Sequence, residues 1–414
     1  MQKVKMMKKY ADLLAEEGLA SGPKEDVAIY ADVEMYGFVR YMVGELYKNR
    51  VKHVVVHYTD QSLLRQELIN TPDTRIPWLI HDEEQGLEDE VNKHMSRLVL
   101  LGESYMTYKR MPNDKAKLYR EARENSLGQL LDSYRKGDIV SCYAPVPTKS
   151  WAKALYPSLT PSQSYDRLWE NIYGICQIED EGNPVLSYHK HIVELNRKAE
   201  VLNKYHFESL HMVSLSAKTD LTVSLPIKHL WHTAYKEERK SGFKYLATIP
   251  ADRVYTSPHS HGTNGVVHIT QPVWIQGSKI TGIWLKFDGG KVTAFGSDQG
   301  EESLKPIIQY DDFSFRLGEV SLVSKSLSLA RLKDDPFGNC ILDAASAVTI
   351  ALGNSYPECF EDGINMDATE LRSHGLNQSR LRFHLPIGSE DLTIVGETEE
   401  GKKTTVFKAG EWAF

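Results

Sequence analysis

The sequence predicts an α/β protein with two domains: an amino-terminal α/β domain built on a parallel sheet, and a β-rich α+β carboxy-terminal domain. Up to about residue 205, short apolar runs alternate with amphipathic helical stretches, which is typical of a parallel α/β sheet. Beyond residue 207, short strand-like runs follow one another between turn residues. Because 414 residues exceed the size at which a single core stops growing, we expect domains at residues 1–205 and 206–414.

The amino-terminal elements are expected in an order that alternates strand and helix. Two apolar strands joined through an amphipathic helix predict a right-handed βαβ unit with parallel strands. Two further apolar runs, bounded by polar residues and proline, predict buried strands. In chain order, the predicted segments are helix 8–18, strand 26–32, helix 34–49, strand 51–60, helix 61–70, strands 97–104 and 137–147, and helices 162–177 and 185–205.

The carboxy-terminal half is expected to consist mainly of short strands. The stretch "FDGG" at 287–290 predicts a hairpin turn, because no helix begins after its glycines and a phosphate-binding loop needs one. The predicted strands lie within 208–216, 220–226, 265–277, 279–296, 381–389 and 391–414.

Charge and cysteine content exclude several classes of partner. The formal net charge is −7 with no long basic run, so nothing indicates binding to nucleic acid or to an anionic membrane. No apolar window approaches the roughly 18 residues that a membrane span needs, and the four cysteines show no CxxC spacing. We therefore expect a cytoplasmic protein with reduced thiols, whose ligands are small molecules or peptides.

The segment "ATIPADRVYTSPHSHGTNGVVH" at 247–268 carries three histidines and an aspartate around a turn, as the edge of a metal site would. It also carries Arg253, whose guanidinium has no lone pair to offer a metal. His259 and His261 follow on a polar loop. Because an HxH spacing alone is a weak metal signal, we favour solvated loop residues over metal ligands for these two histidines.

A series of motifs runs through the whole chain in an order and spacing typical of one enzyme family. In the carboxy-terminal half they are "KTDLTVSLP", "IPADRVYTSPH", "GKVTAFGSDQGEESL", "RLGEVSLV", "IALGNSYP", "GLNQSRLRFHLPIGSEDLTI" and "GEW". In the amino-terminal half they are "KYADLLAEEGL" and "PTKSWAKALYP". Together they resemble the thermophilic metallo-aminopeptidase family typified by aminopeptidases T and S. The resemblance implies the fold above, a homodimer and an aminopeptidase-like hydrolase.

The resemblance also implies which residues form the site. In that family two divalent metals are held by a glutamate in "EVFTAP", a glutamate in "LGE", a histidine in "DENAxxHxALG", and a histidine and an aspartate in "HxD", while a tyrosine after "ALG" assists. The "LGE" glutamate matches Glu319 and the tyrosine matches Tyr356, so both catalytic candidates are retained. The remaining positions, in the order given, are occupied here by Arg253, Thr349, Arg382 and His384.

Four of the five ligand positions therefore differ, and two of them carry a permanent positive charge. An arginine about 4 Å from a divalent ion is repelled by roughly 8 kcal/mol at an effective dielectric constant near 20. We therefore expect Arg253 and Arg382 to pair with Glu319, or to converge with His384 on a pocket for a carboxylate or phosphate. Candidate substrate-binding residues are Arg253, Arg382, His384, His259 and His261.

The main interpretation is a diverged family member that has lost two-metal peptidase chemistry and has no metal cofactor. It binds or transforms a small anionic molecule, or it is non-catalytic. One alternative is a cytosolic aminopeptidase with one or two divalent metals (zinc, cobalt, manganese or iron), with Glu319 as general base and Tyr356 supporting the oxyanion. The other is a mononuclear iron or zinc enzyme that uses Glu319, His384 and either His259 or His261.

Overall fold

The structure is a computed structural model that describes residues 2–20, 26–102, 113–275, 278–328 and 336–414. The chain forms two compact units, one composed of Met1–His191 and Tyr235–Ala251, the other of Ile192–Ala234 and Asp252–Phe414. The predicted fold class is confirmed, because the first unit carries a parallel sheet between helices and the second is rich in antiparallel strands. None of the helices in these described ranges is long and apolar enough to cross a membrane.

The first unit is built on the predicted parallel sheet. Its strands are β1 Asp26–Asp32, β2 His53–Thr59, β3 Ser96–Leu101 and β4 Ser141–Pro145. The strand order is β2-β1-β3-β4, and every neighbouring pair is parallel. Residues 103 and 104, the end of the predicted strand 97–104, lie outside the described residues.

The helices of this unit are α1 Gln2–Leu13, α2 Tyr36–Lys48, α3 Gln61–Asn70, α4 His81–Asn92, α5 Asn113–Arg135, α6 Lys149–Leu155 and α7 Pro161–Ile175, with a π-helical turn at Leu14–Gly18 and 3-10 segments at Val33–Met35 and Asp73–Ile80. Some of them begin at polar side chains that cap the helix. Asp60 accepts hydrogen bonds from two backbone N–H groups at the start of α3. Thr160 and Gln163 form a capping box at the start of α7.

Three helices of this unit, α4, α5 and the short α6, are not among the predicted segments. The buried residues in the first half of α5 are Ala116, Tyr119 and Ala122, so the large aliphatic residues that make a helical repeat visible occur only in its second half. The buried side of α4 includes the carboxylate of Glu90 beside Leu87, which weakens the repeat in the same way. Sequence periodicity therefore underestimates the helix content of this unit.

Residues 235–251 join the first unit because they pair with its sheet edge. They contain the hairpin of β7 Tyr235–Glu237 and β8 Lys244–Leu246. Tyr143 of β4 donates its N–H to the carbonyl of Ala247 and accepts from the N–H of Ile249, both at 3.0 Å. The boundary between the two units also falls within helix α8 Pro184–Tyr205, between residues 191 and 192. A domain boundary at residue 205 stays a prediction.

The second unit contains a large antiparallel sheet with the order β14-β13-β10-β6-β5-β18-β19-β20. The hairpin predicted at "FDGG" joins β13 to β14, where Asp288 pairs with Lys291. The strands of this sheet are β5 Ser209–Ser214, β6 Thr219–Ser224, β10 Thr263–His268, β13 Trp284–Asp288, β14 Lys291–Gly296, β18 Thr393–Glu397, β19 Lys403–Lys408 and β20 Glu411–Trp412. A separate pair consists of β11 Val273–Ile275 and β12 Ser278–Ile280.

A smaller antiparallel sheet of four strands, in the order β17-β16-β15-β9, positions the candidate site. Its strands are β9 Val254–Thr256, β15 Leu317–Leu322, β16 Thr349–Gly353 and β17 Arg382–Pro386. All six residues of β15 are buried, so any charged side chain on it needs a partner within the protein. The short helices of this unit are α9 Glu301–Ile308, α10 Lys325–Ser328, α11 Cys340–Ala344 and α12 Ala368–Ser373, with 3-10 turns at Pro357–Cys359 and Gly363–Asn365.

Candidate functional site

The register of the four-stranded sheet brings three of the singled-out residues to one point. Glu319 of β15 lies opposite Ala351 of β16, and Ala351 lies opposite His384 of β17. Paired residues of antiparallel strands share a face, so the Glu319 and His384 side chains meet above the small side chain of Ala351. Arg253 directly precedes β9, the neighbour of β15 on its other side. Residues far apart in sequence therefore surround one carboxylate.

The carboxylate of Glu319 is held by two nitrogen donors. Arg253 Nη1 donates to Oε1 at 2.6 Å, and His384 Nε2 contacts Oε2 at 2.8 Å. Because an ionised carboxylate only accepts hydrogen bonds, we assign the proton in the second contact to Nε2 of His384. Glu319 is fully buried, and the side chains of Arg253 and His384 are 13% and 19% exposed. Both carboxylate oxygens are thus already engaged within the protein.

Tyr356 and Arg382 lie beside this ion pair. Arg253 Nη2 donates to the hydroxyl of Tyr356 at 3.1 Å. The guanidinium of Arg382 lies 3.5 Å from the centroid of the Tyr356 ring, a cation–π contact. Arg382 Nε and Nη2 donate to the backbone carbonyls of Asn354 and Ser355 at 3.0 and 3.1 Å.

The five side chains of Arg253, Glu319, Tyr356, Arg382 and His384 are called the arginine cluster below. The expected ion pair between Arg382 and Glu319 is not among the contacts of the described residues. Arg382 pairs with Gly353 in the sheet, and this register puts the carbonyls of the next two residues within its reach. Among the described residues, Arg253 is the arginine that pairs with Glu319, and Arg382 is anchored on the backbone.

The positive charges around Glu319 keep it ionised. Burial by itself raises the pKa of a carboxyl group, but Arg253, His384 and Arg382 outweigh burial and lower the pKa of Glu319 to about 2. Burial also disfavours the charge of Arg253, while Tyr356 and Glu319 favour it and raise the pKa of Arg253 above its usual value. The site is therefore a buried pair of full charges, supported by a third nearby cation.

His259 and His261 make their contacts elsewhere. The N–H of His259 donates to the carbonyl of Ser224 at 2.9 Å, and its ring packs against Gly375, where any Cβ would overlap it. The N–H of His261 donates to Nδ1 of His259 at 3.2 Å. Burial and the charge of Arg316 lower the pKa of both imidazoles. Within the described residues, neither loop histidine contacts the arginine cluster.

Two residues that the sequence reasoning did not single out also lie at this site. The guanidinium carbon of Arg253 lies 4.8 Å from the centroid of the Tyr255 ring, which is a cation–π contact. Ser321 faces Thr349 across β15 and β16, and both buried hydroxyls lack a hydrogen-bond partner among the described residues. The period-two alternation of a strand could have found Ser321, because it lies two residues after Glu319.

These side chains do not fit a centre for two divalent metals. A guanidinium offers no lone pair, and the two oxygens of Glu319 already accept hydrogen bonds from nitrogen. Thr349 contributes a neutral hydroxyl, whose oxygen lacks a hydrogen-bond partner among the described residues. In the ranges that the structure describes, no group of three or more His, Cys, Asp or Glu side chains is arranged to hold a metal ion.

The fold defines the class of protein. The solved structure described as wild-type AmpT from Thermus thermophilus matches with a TM-score of 0.90 and 27% identity, covering 100% of both chains. The architecture is thus that of an aminopeptidase T-like protein. The family described as thermophilic metalloprotease (M29) matches residues 3–412, and the chain belongs to this family.

Curated relatives align with nearly the whole chain. Aminopeptidase 2 of Geobacillus stearothermophilus is 30% identical over 99% of this chain and 98% of the relative. Aminopeptidase AmpS of Bacillus subtilis is 29% identical over 98% of both. The family expected from the sequence motifs is confirmed, and it is a family of metallopeptidases, which are hydrolases that use metal cofactors.

Acidification is expected to destabilise the protein through Glu319. The pKa of this residue is lowered from an ordinary value of 4.5 to about 2. The ionised carboxylate therefore stabilises the folded protein fully above pH 4.5, and this contribution is lost as the pH falls through 2. The whole effect corresponds to about 3 kcal/mol. Urea unfolding at pH values from 7 to 3 should show a steeper loss of stability for the unmodified protein than for Glu319→Gln, which lacks this titration. Equal slopes for the two proteins would contradict the expectation.

Proposed function

We propose that the arginine cluster binds a small molecule that bears a carboxylate, such as an amino acid or a short peptide, and that it does not perform two-metal peptide hydrolysis. The observation that supports this most is the state of Glu319, whose two oxygens accept from Arg253 and His384. A carboxylate held in this way is neither a free general base nor a free metal ligand.

The charge of the arginine cluster favours an anionic ligand. Arg253 and Arg382 carry two positive charges, while Glu319 carries one negative charge, so at least one positive charge is left over. Arg382 uses Nε and Nη2 on backbone carbonyls, whereas its Nη1 has no hydrogen-bond partner among the described residues. Arg382 is only partly buried, so its Nη1 is the donor to which an incoming carboxylate binds.

The comparisons favour a second candidate, a cytosolic metal-dependent aminopeptidase that removes amino-terminal residues. Taken alone they favour it over the first, because the relatives that match nearly the whole chain are named aminopeptidases. Arg253 is the obstacle to this candidate, since Glu319 would have to leave the guanidinium before it could accept a proton. The mononuclear alternative has less support, because neither His259 nor His261 contacts the cluster.

The proposal also covers the oligomeric state and the cellular location of the protein. From the family resemblance we propose a homodimer, and from the sequence composition a cytoplasmic location without nucleic-acid or membrane partners. These parts do not depend on which of the two candidate functions is right.

Calorimetric titration with one dipeptide, as the free acid and as its carboxy-terminal amide, tests the ligand class. We expect the free acid to bind at least about tenfold more tightly, because a hydrogen bond to a charged group contributes about 1.5–3 kcal/mol. Arg382→Gln should abolish this preference. Arg380→Gln, an exposed arginine outside the cluster, is the matched control and should retain it. Equal binding of acid and amide by the unmodified protein would show that the ligand class is wrong.

Metal analysis combined with a peptidase assay separates the candidate functions. We expect less than one tightly bound divalent metal per purified chain, because the altered positions offer too few lone-pair donors. We also expect no release of amino-terminal residues from peptides after addition of zinc, cobalt or manganese. Two ions per chain together with peptide hydrolysis would establish the aminopeptidase, and one iron per chain would favour the mononuclear enzyme.

A further inference from the structure

A crevice lies in the first unit, at the carboxyl ends of the parallel strands. Its walls come from α1, α2 and α7, from the segment Val33–Met35 that directly follows β1, and from Lys149, which follows β4 after a short loop. Its volume is about 910 Å³. Small-molecule sites measure about 300–1,000 Å³, and in open α/β sheets they lie outside the carboxyl ends of the strands. The crevice therefore has the size and the location of a ligand site.

Aromatic side chains form much of its wall. The lining includes Tyr36, Phe38, Tyr41 and Tyr165. The side chain of Tyr36 is 61% exposed, and that of the neighbouring lining residue Val33 is 44% exposed. Exposed apolar side chains that lie together mark binding surfaces more often than single ones do. The rings offer flat apolar faces, which favour an aromatic ligand.

Cations line the same crevice. They are Lys3, Arg40 and Lys149. Lys3 forms an ion pair with Asp166 at 2.6 Å. The side chains of Arg40 and Lys149 are exposed, and among the described residues neither has an ion-pair partner. Two positive charges are therefore available to a ligand.

Glu34 is the acidic residue of the wall, and its oxygens are already engaged. Oε2 accepts from the backbone N–H of Lys149 at 2.7 Å, and Oε1 accepts from the hydroxyl of Ser150 at 3.0 Å. Arg40 and Lys149 exceed the charge of Glu34 by one positive unit, so one negative charge on a ligand balances the crevice. A carboxylate supplies one such charge, whereas a phosphate monoester carries about −1.5 to −2 at neutral pH.

From the rings and the charges together we propose that this crevice binds a small aromatic carboxylate. The aromatic group lies against the tyrosines of the wall, and the carboxylate pairs with Arg40 and Lys149. A guanidinium can donate two parallel hydrogen bonds to one carboxylate, so Arg40 is the main determinant of charge. The crevice belongs to the first unit and the arginine cluster to the second, so this is an additional ligand site.

Calorimetric titration of the full-length chain with N-acetyl-L-tryptophan and its carboxamide tests the ligand class. Both molecules carry the same indole ring, but only the acid is charged. Every protein in the test also carries Arg382→Gln, so that carboxylate binding through Arg382 does not contribute. We expect the acid to bind at least about tenfold more tightly than the amide, because hydrogen bonds between charged groups are the stronger ones. Arg40→Gln should remove this preference, whereas Lys52→Gln, at an exposed cation outside the crevice, should retain it.

Two glycines of α2 provide a matched pair of variants that test the location. A Cβ atom built on Gly37 or on Gly44 meets no atom within 4 Å, but only Gly37 lines the crevice. Gly37→Phe therefore places a ring in the space for the ligand, and we expect it to weaken binding of the acid at least about tenfold. Gly44→Phe should bind the acid as the parent protein does. Thermal melts establish that both variants are folded.

The remaining outcomes count against the inference. It is overturned if the parent protein does not bind the acid, if acid and amide bind equally, or if Gly37→Phe leaves binding unchanged. An equal loss in Gly37→Phe and Gly44→Phe would also overturn it, since the effect would not depend on the crevice. Should Gly37→Phe not fold, Arg40→Gln decides the question: loss of the preference for the acid supports the inference, and an unchanged preference overturns it.

Discussion

The ion pair between Arg253 and Glu319 is the interaction on which the rest of the site depends. Glu319 lies on a strand whose residues are all buried, and a carboxylate in such a place is unfavourable unless it is paired. Arg253 supplies the opposite charge at 2.6 Å and links β9 to β15 and to Tyr356. His384 and Arg382 add positive potential from β17, so the carboxylate stays ionised well below neutral pH. The arginine cluster is therefore an electrostatic unit whose members depend on one another.

The family fold and the arginine cluster are two separate observations on this chain. At 27% identity, the match to the aminopeptidase T structure covers both chains completely, and the family assignment covers residues 3–412. The four-stranded sheet carries Thr349 and Arg382, and Arg253 directly precedes its strand β9. Because function is determined by the site and not by the fold alone, the arginine cluster is the basis of the proposed function, while the aminopeptidase relatives support the second candidate.

Much of the fold and the centre of the site could be predicted from the sequence. The alternation of apolar strands and amphipathic helices predicted the parallel sheet, and the family motifs brought Arg253 and Glu319 together. Helices α4 and α5 were missed because alanine, tyrosine and glutamate occupy buried positions, so the apolar repeat is faint. The sequence predicts an ion pair between Arg382 and Glu319, but Arg382 donates to backbone carbonyls of a neighbouring loop. Backbone acceptors of this kind cannot be identified from the pattern of side chains in a sequence. The placement of His259 depends in the same way on close packing against Gly375.

A double-mutant cycle on Arg253 and Glu319, measured as free energies of urea unfolding, tests the central claim most directly. Arg253→Met and Glu319→Gln should each cost about 3–5 kcal/mol, because each leaves one buried charge without its partner. The double variant should cost clearly less than the sum of the two, since both charges are then gone. If the two losses simply add, the arginine and the glutamate contribute independently, and Arg253 does not act as the cation of this site.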